Sequence, residues 1–237
     1  MITLKYKRYG LPITTVYYAE RPKIFHQLTR YKSCAYTKKV LGFKREEAYS
    51  PIIDLTQDEE IIYSGFDKNT EYEIRRAIRD NSAEINFNVS KSDWNEVYAV
   101  FQKHRGGPKT INLDVLDKNT CFTSATIRGK LAIIHVYMVD EDMKYAKLKY
   151  SHSITDDIED KSERAEIGRT NRLLHYQDML FFKTQGYTQY DFGGIAVDAD
   201  NTKQQGINGF KKGFGGVIGK RCDYQPYWMW LLNRITK

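Results

Sequence analysis

Apolar and polar positions along this chain of 237 residues change period several times, and each change marks an expected element. Runs of aromatic and branched residues around Ile13–Tyr18, Ala35–Leu41 and Tyr49–Leu55 predict short strands, with a basic helical piece near Phe25–Tyr31 between the first two. Thr56 followed three residues later by Glu59 has the form of a capping box, so a helix is expected through Glu60 to Phe66. A second helix follows from Asn69 to Asp80, with Ile74 and Ile78 on one face. Ile85–Val89 predicts a strand, and Ser92 is placed to cap a helix Asp93–His104 that turns Trp94, Val97 and Phe101 inward before Gly106-Gly107-Pro108 stops it.

The second half alternates more clearly. Phe122–Arg128, Lys130–Val139 and Tyr145–Ser153 predict three consecutive strands, turning near Arg128-Gly129-Lys130 and Asp140-Glu141-Asp142. Thr170 or Asn171 then caps a helix of about five turns, with Leu173, Leu174, Tyr176, Leu180 and Phe181 on a wide apolar face and Gly186 at its end. A strand, Tyr187–Ile195, closes on Gly193-Gly194, and a second helix begins after a polar break in KQQGINGFKKGFGG. Consecutive antiparallel strands followed by a long helix and one more strand predict an α+β domain, not a doubly wound nucleotide fold, in which strands and helices alternate throughout.

Charge is unevenly spread. Residues 1–50 hold 11 Lys/Arg against 3 Asp/Glu, residues 51–200 hold 19 against 26, and residues 201–237 hold 7 against 1. Two basic ends around an acidic body suit a polyanion such as tRNA, a nucleotide-sugar diphosphate or an anionic membrane surface; a solubilising bias is the alternative. The composition, 41% hydrophobic and 28% charged, is that of an ordinary soluble domain, and its 18 tyrosines suit sheet surfaces and polar grooves. The three cysteines, Cys34, Cys121 and Cys222, form no Cys-x-x-Cys pair and fit a reducing cytosol without zinc. Leu131–Val139 and Tyr227–Leu232 are too short to span a bilayer, and MITLKYKRYG lacks a signal core, so a cytoplasmic protein is expected. Its aromatic and basic tail either packs on the sheet or rests peripherally on the inner membrane face. The acidic run Thr155–Glu166 reads as a surface loop or short helix with no calcium-loop spacing, and no metal is expected there.

Two stretches carry candidate binding chemistry. Gly168, Arg169, Thr170 and Asn171, at the expected start of the long helix, would offer unpaired amides and a positive dipole end to a phosphate; an ordinary capped helix offers the same amides. Arg75 and Arg79, four apart, share a face with Arg76 one step round, either as an anion-binding surface or as a solvated face with Glu71 and Glu73 as partners.

The order of motifs from Gly168 onward, a small-residue turn, a long helix, Tyr190-Asp191-Phe192-Gly193-Gly194, then Phe210-Lys211 and Gly213-Phe214-Gly215-Gly216, resembles the C-terminal half of a GNAT-type acyltransferase domain of the FemAB and BioF2-like group. The arginine helix has that group's Arg-x-x-Ile-x-x-Ala form only in outline, with Glu71-Tyr72 where a further basic residue is expected. The resemblance runs over roughly residues 55 to 220. It implies a GNAT-like α+β fold with a mixed, mostly antiparallel sheet, an N-terminal basic segment 1–55 and an acyltransferase domain 56–237. By the same resemblance an aminoacyl or acetyl group passes from acyl-CoA or aminoacyl-tRNA to an amine of a cell-envelope, peptidoglycan-type or polysaccharide sugar precursor. Lys211 is then expected at the reaction centre, either stabilising the oxyanion or holding a phosphate, His152 as general base, and Asp191 either orienting the amine or capping a turn; Arg75, Arg76, Arg79 and Phe210 are expected to bind substrate. The spacing Gln/Arg-x-x-Gly-x-Gly/Ala of CoA-binding members is absent, which favours tRNA or an altered donor site. A rival from another class is a non-catalytic RNA- or nucleotide-binding protein that uses its basic ends and tyrosines.

Overall fold

The computed structural model describes residues 1–87, 89, 119–197 and 201–235, so the helix expected at Asp93–His104 lies outside the described residues. The contacts group the chain into two compact units, one of residues 1–50, 194–205 and 218–237, the other of 51–193 and 206–217.

In the first unit the strand order is β1 (Ile2–Arg8), β2 (Leu11–Tyr17), β3 (Thr29–Cys34), β10 (Val217–Pro226) and the first part of β4 (Phe43–Asp54). β1 and β2 form a hairpin whose two-residue turn, Tyr9-Gly10, has φ of 53° and 74°, the left-handed pair that matches strand twist. β2 and β3 run parallel, and β10 lies antiparallel to β3 with Cys222 opposite Cys34. Tyr31, Cys34, Phe43, Cys222 and Tyr224 form the core.

Two expectations fail in this unit, and two strands were not anticipated. The strand is Thr29–Cys34, where a helix was expected near Phe25–Tyr31, and Ala35–Leu41 is loop. The Tyr224 hydroxyl donates to the carbonyls of Tyr36 and Lys38 at 2.7 and 2.8 Å, and the Ala35 and Tyr36 amides donate to the carbonyls of Ala19 and Glu20 at 3.3 and 3.0 Å, which ties the loop down without a strand. β1 and β10 escaped the apolar pattern because β1 buries Ile2 alone, β10 buries only the alternate residues Cys222, Tyr224 and Pro226, and both carry lysine and arginine. The tail folds as helix α5 (Tyr227–Ile235), with Met229 buried and the Trp228 indole donating to the Gln27 carbonyl at 2.8 Å.

In the second unit the order is the end of β4, then β9 (Gln189–Asp191), β8 (Tyr145–Ser153), β7 (Lys130–Asp140), β6 (Thr120–Ile127) and β5 (Ala83–Asn86). Only β8 and β9 run parallel among these pairs of described strands. Nine consecutive residues of β7 are buried, the signature of a strand covered on both faces.

The described α-helices of this unit are α1 (Glu59–Ser64), α2 (Lys68–Asp80), α3 (Lys161–Thr184) and the end of α4 (Thr202–Lys212). Asp58, not Thr56, precedes α1, because the Thr56 amide and hydroxyl are both spent on Asp54 Oδ1. Asp67 caps α2 by accepting from the Thr70 amide at 2.6 Å. Its buried stripe is Thr70, Ile74 and Ala77, whereas Ile78, expected beside Ile74, is 52% exposed. α3 is 24 residues long and starts in the acidic run: Asp160 is its cap, accepting from the Glu163 amide at 2.7 Å. No helix among the described residues is long and apolar enough to cross a membrane.

Candidate active site

The parallel ladder of β8 and β9 is short: Tyr145, Ala146 and Lys147 oppose Gln189, Tyr190 and Asp191, and there it stops, although β8 runs on to Ser153. The cause is local. Asp191 Oδ1 accepts from the Gly193 amide at 2.7 Å, closing a turn in which Gly193 takes φ +73°. A Cβ on Gly193 would stand 2.7 Å from the Leu148 carbonyl oxygen, so only glycine allows this approach to β8. Asp191 is wholly buried, accepts from the Tyr145 hydroxyl at 2.6 Å and pairs with Lys147 at 3.0 Å.

Lys211 comes to the same place from the end of α4, its ammonium 3.8 Å from where a Gly193 Cβ would be. Gly213-Phe214-Gly215-Gly216 sets that helix end. The Gly213 carbonyl accepts from the Asp67 amide at 2.8 Å, and a side chain at Gly213 would meet Thr70. Phe214 is buried against Phe66 and Phe192. Burial draws the Lys211 pKa down to about 8; the Asp191 carboxylate opposes that shift and the Lys147 charge adds to it. The result is a half-buried ammonium with its pKa drawn well below the ordinary lysine value.

Beneath this lies a buried polar network. His135 on β7 contacts Asp178 of α3 through Nδ1 at 2.7 Å and Asn171 Oδ1 through Nε2 at 2.8 Å. The Tyr137 hydroxyl donates to Asp178 at 2.5 Å, and Tyr190 stands 2.7 Å from Tyr137 and 2.7 Å from His175 Nδ1. Since the proton of Tyr137 goes to the carboxylate, that of Tyr190 goes to Tyr137, and His175 donates from Nδ1 to Tyr190. His175 is then a neutral imidazole with its Nε2 lone pair turned among Phe192, Phe210 and Phe214. Burial holds its pKa well below the ordinary histidine value, helped by the charges of His135, Lys211 and Arg172.

His135, His175 and Asp178 each present a ligand atom within 4.8 Å of the others. The two imidazoles are stacked, however, at 4.0 Å and 25°. Lone pairs lie in the ring planes, so those of stacked rings do not converge on one ion. The geometry suits hydrogen bonding.

The structure redistributes the residues expected at the site. Lys211 and Asp191 are together, with Phe210 packed on His175 and Phe214 and under the Arg172 guanidinium at 4.9 Å. His152 lies on β8 five residues past Lys147, about 16 Å along the strand at 3.3 Å per residue. The phosphate cradle is corrected: Gly168, Arg169, Thr170 and Asn171 lie inside α3, not at its start, so their amides belong to helical hydrogen bonds. Arg169 is buried and pairs with Asp80 at 3.5 Å, and Asn171 serves His135. On α2, Arg75 pairs with Glu71, and Arg76 and Arg79 both pair with Asp80; Glu71 is the partner anticipated, while Asp80 takes the place of Glu73. Sequence reasoning missed His135, His175, Asp178 and Lys147. The one available signal was polar residues set in apolar runs, His135 within LAIIHVYMV and His175 with Asp178 three apart on the buried face of α3.

No protein-family model matches the chain, and no curated protein matches it. Among solved structures, FemX superposes with a TM-score of 0.63 at 12% identity, over 99% of this chain and 86% of that one. The fold is that of FemX. L-PGS from Bacillus licheniformis gives a TM-score of 0.56 at 14% identity, over 88% of this chain and 73% of that one. The C-terminal domain of a protein designated lysylphosphatidylglycerol synthetase from Agrobacterium fabrum gives 0.56 at 14% identity over 77% of this chain, which spans 61% of that domain's length. At such identities the likeness establishes the shared fold alone; the α+β class with a mixed, mostly antiparallel sheet is the one expected.

Proposed function

We propose that this chain is an N-acyltransferase, moving an aminoacyl or acetyl group from an ester or thioester donor to an amine of a cell-envelope or polysaccharide sugar precursor. The observation that carries this reading is the ladder of β8 and β9 stopping at Lys147 and Asp191, with the depressed ammonium of Lys211 beside the stop. The fold shared with FemX supports it.

In this reaction the acceptor nitrogen bonds to the donor carbonyl carbon, the carbon–oxygen or carbon–sulfur bond breaks, the leaving atom takes up a proton and the amine gives one up. Lys211 supplies positive charge to the oxyanion that develops on the carbonyl, in a setting where burial strengthens the interaction. Asp191, committed to the Gly193 amide, Tyr145 and Lys147, holds the strand end and is a positioning residue. His152, about 16 Å along β8 from Lys147, is beyond hydrogen-bond reach of an amine attacking a carbonyl held at Lys211, so the amine proton is not assigned to it. Phe210 fixes the end of α4 and acts through Lys211.

The start of α3 favours the ester of a tRNA over acyl-CoA as donor. Its cap is Asp160, Glu163 lies in its first turn and Glu159 precedes it, so a diphosphate placed there would meet carboxylates. Transfer of a labelled amino acid from aminoacyl-tRNA, and of acetyl from acetyl-CoA, to amine acceptors tests this reading. We expect transfer from aminoacyl-tRNA, lost in Lys211→Ala with folding intact by circular dichroism. Transfer from neither donor, or full turnover in that variant, would overturn it.

A further inference from the structure

The positive charge of the chain is concentrated in one unit. Residues 1–50, 194–205 and 218–237 hold 16 Lys and Arg against 6 Asp and Glu, a net +10, whereas the other unit holds 21 against 24, a net −3. Within the basic unit a surface cavity of about 420 Å³ is lined by Arg8, Arg30 and Arg234, with Glu46 as the single carboxylate, and by Gln225 and Trp230. Strands β1, β3, β4 and β10 supply its floor and α5 its wall.

None of the three arginines forms an ion pair among the described residues. Arg8 Nη2 donates to Asn233 Oδ1 at 2.6 Å, a neutral acceptor that leaves its charge uncompensated. Arg30 Nε and Gln225 Nε2 are shielded from water without a hydrogen-bond partner among the described residues. Two buried donors left in this way cost free energy that an acceptor would recover. The local field also acts on Tyr6: burial alone would raise its pKa, yet hydrogen bonds from Thr15 and Arg30 and the charges of Arg30 and Arg8 hold it below the ordinary value.

The chemistry of the ligand follows from what lines the cavity. Guanidinium groups offer paired donors to phosphate oxygens. The Trp230 ring does not offer a stacking face to a base, since Lys44 and Arg234 both lie over it at 5.4 and 5.1 Å. We propose that this cavity is a phosphate-binding site that recognises adjacent phosphates, carried either by a small diphosphate or by an oligonucleotide backbone, without reading a base. It lies wholly in the first unit and does not depend on the transferase reading.

Calorimetric titration of the full chain with inorganic pyrophosphate, and separately with a single-stranded oligoribonucleotide of mixed sequence, tests the site. Binding of pyrophosphate alone identifies a small-molecule source; binding of the oligoribonucleotide, insensitive to its sequence, identifies a nucleic-acid source. In either case Arg8→Gln and Arg234→Gln each weaken binding about tenfold, and with RNA each lowers the slope of log affinity against log salt by about 0.7. Glu46→Gln removes the one lining carboxylate and tightens binding, a gain that a misfolded variant would not give. The proposal is overturned if neither probe binds at about 5 mM in low salt, or if affinity is unchanged in all three variants.

Discussion

Lys147 and Asp191 face one another in the last pair of the β8–β9 ladder, and their side chains meet at 3.0 Å with Asp191 fully buried. The pair marks where two parallel strands cease to bond, and Lys211 feels both charges. The balance between them tunes the ammonium to which the proposed chemistry is assigned.

The pH profile of transfer should therefore show an alkaline limb near pH 8, because Lys211 stabilises an oxyanion only while protonated and its pKa is drawn down to about 8. Lys211→Arg, charged throughout this range, should retain activity and lose that limb. Stability moves the other way. The folded state binds the Lys211 proton less tightly than the unfolded state, so between about pH 8 and the free lysine value of 10.5 this residue's contribution rises with pH. Rate profiles and denaturant midpoints from pH 6 to 10 check both signs.

Acid should weaken the fold through His175. Its folded pKa is depressed, so the unfolded chain takes up a proton that the folded chain refuses as pH falls below the ordinary histidine value of 6.5. Stability should drop by up to about 1.4 kcal/mol per pH unit from this group. His175→Asn keeps a donor for Tyr190 and should flatten the dependence between pH 7 and 5, as read by urea midpoints.

Truncating Asp178 should be severe. It accepts from both His135 and Tyr137 in a site closed to water, and Asp178→Ala leaves those donors buried without their acceptor. A loss of about 3–5 kcal/mol is expected by thermal or denaturant unfolding. His135→Ala, measured with it in a double-mutant cycle, should show strong coupling.

Two glycines should respond oppositely to alanine. Gly193→Ala must adopt a left-handed backbone, at about 1–2 kcal/mol, and bring its methyl against the Leu148 carbonyl, so both stability and transfer should fall. Gly168→Ala meets only the Arg172 guanidinium, at 4.0 Å, inside α3 and should stabilise by about 0.5–1 kcal/mol with donor binding unchanged. Loss of donor binding in Gly168→Ala would restore the cradle that the helix boundary removes.

Where one element carried its own signal, the sequence was legible. Tyr145–Ser153 alternates in character and is β8 at the same bounds, and α2 begins one residue before its expected start because Asp67 is a strong local cap. The start of α3 was not legible, since Asp160 and Thr170 or Asn171 offer competing caps. Packing decides between them: Ile167 and Leu174 are buried together in one apolar cluster, and Arg169 reaches Asp80 on α2, so the chain must already be helical there.

By itself the sequence determined the α+β class, the order of its middle strands, the Phe210-Lys211 and Gly213-Phe214-Gly215-Gly216 motifs, and the basic character of both ends, because these rest on periodicity, turn chemistry and charge. Only the tertiary structure decided that Lys211 meets Asp191 and Lys147, that His135 meets Asp178 across 43 residues, and that Arg8, Arg30 and Arg234 line one cavity. Such constellations join strands and helices far apart in the chain. Their energetics come from shared burial and low dielectric, which no local pattern encodes.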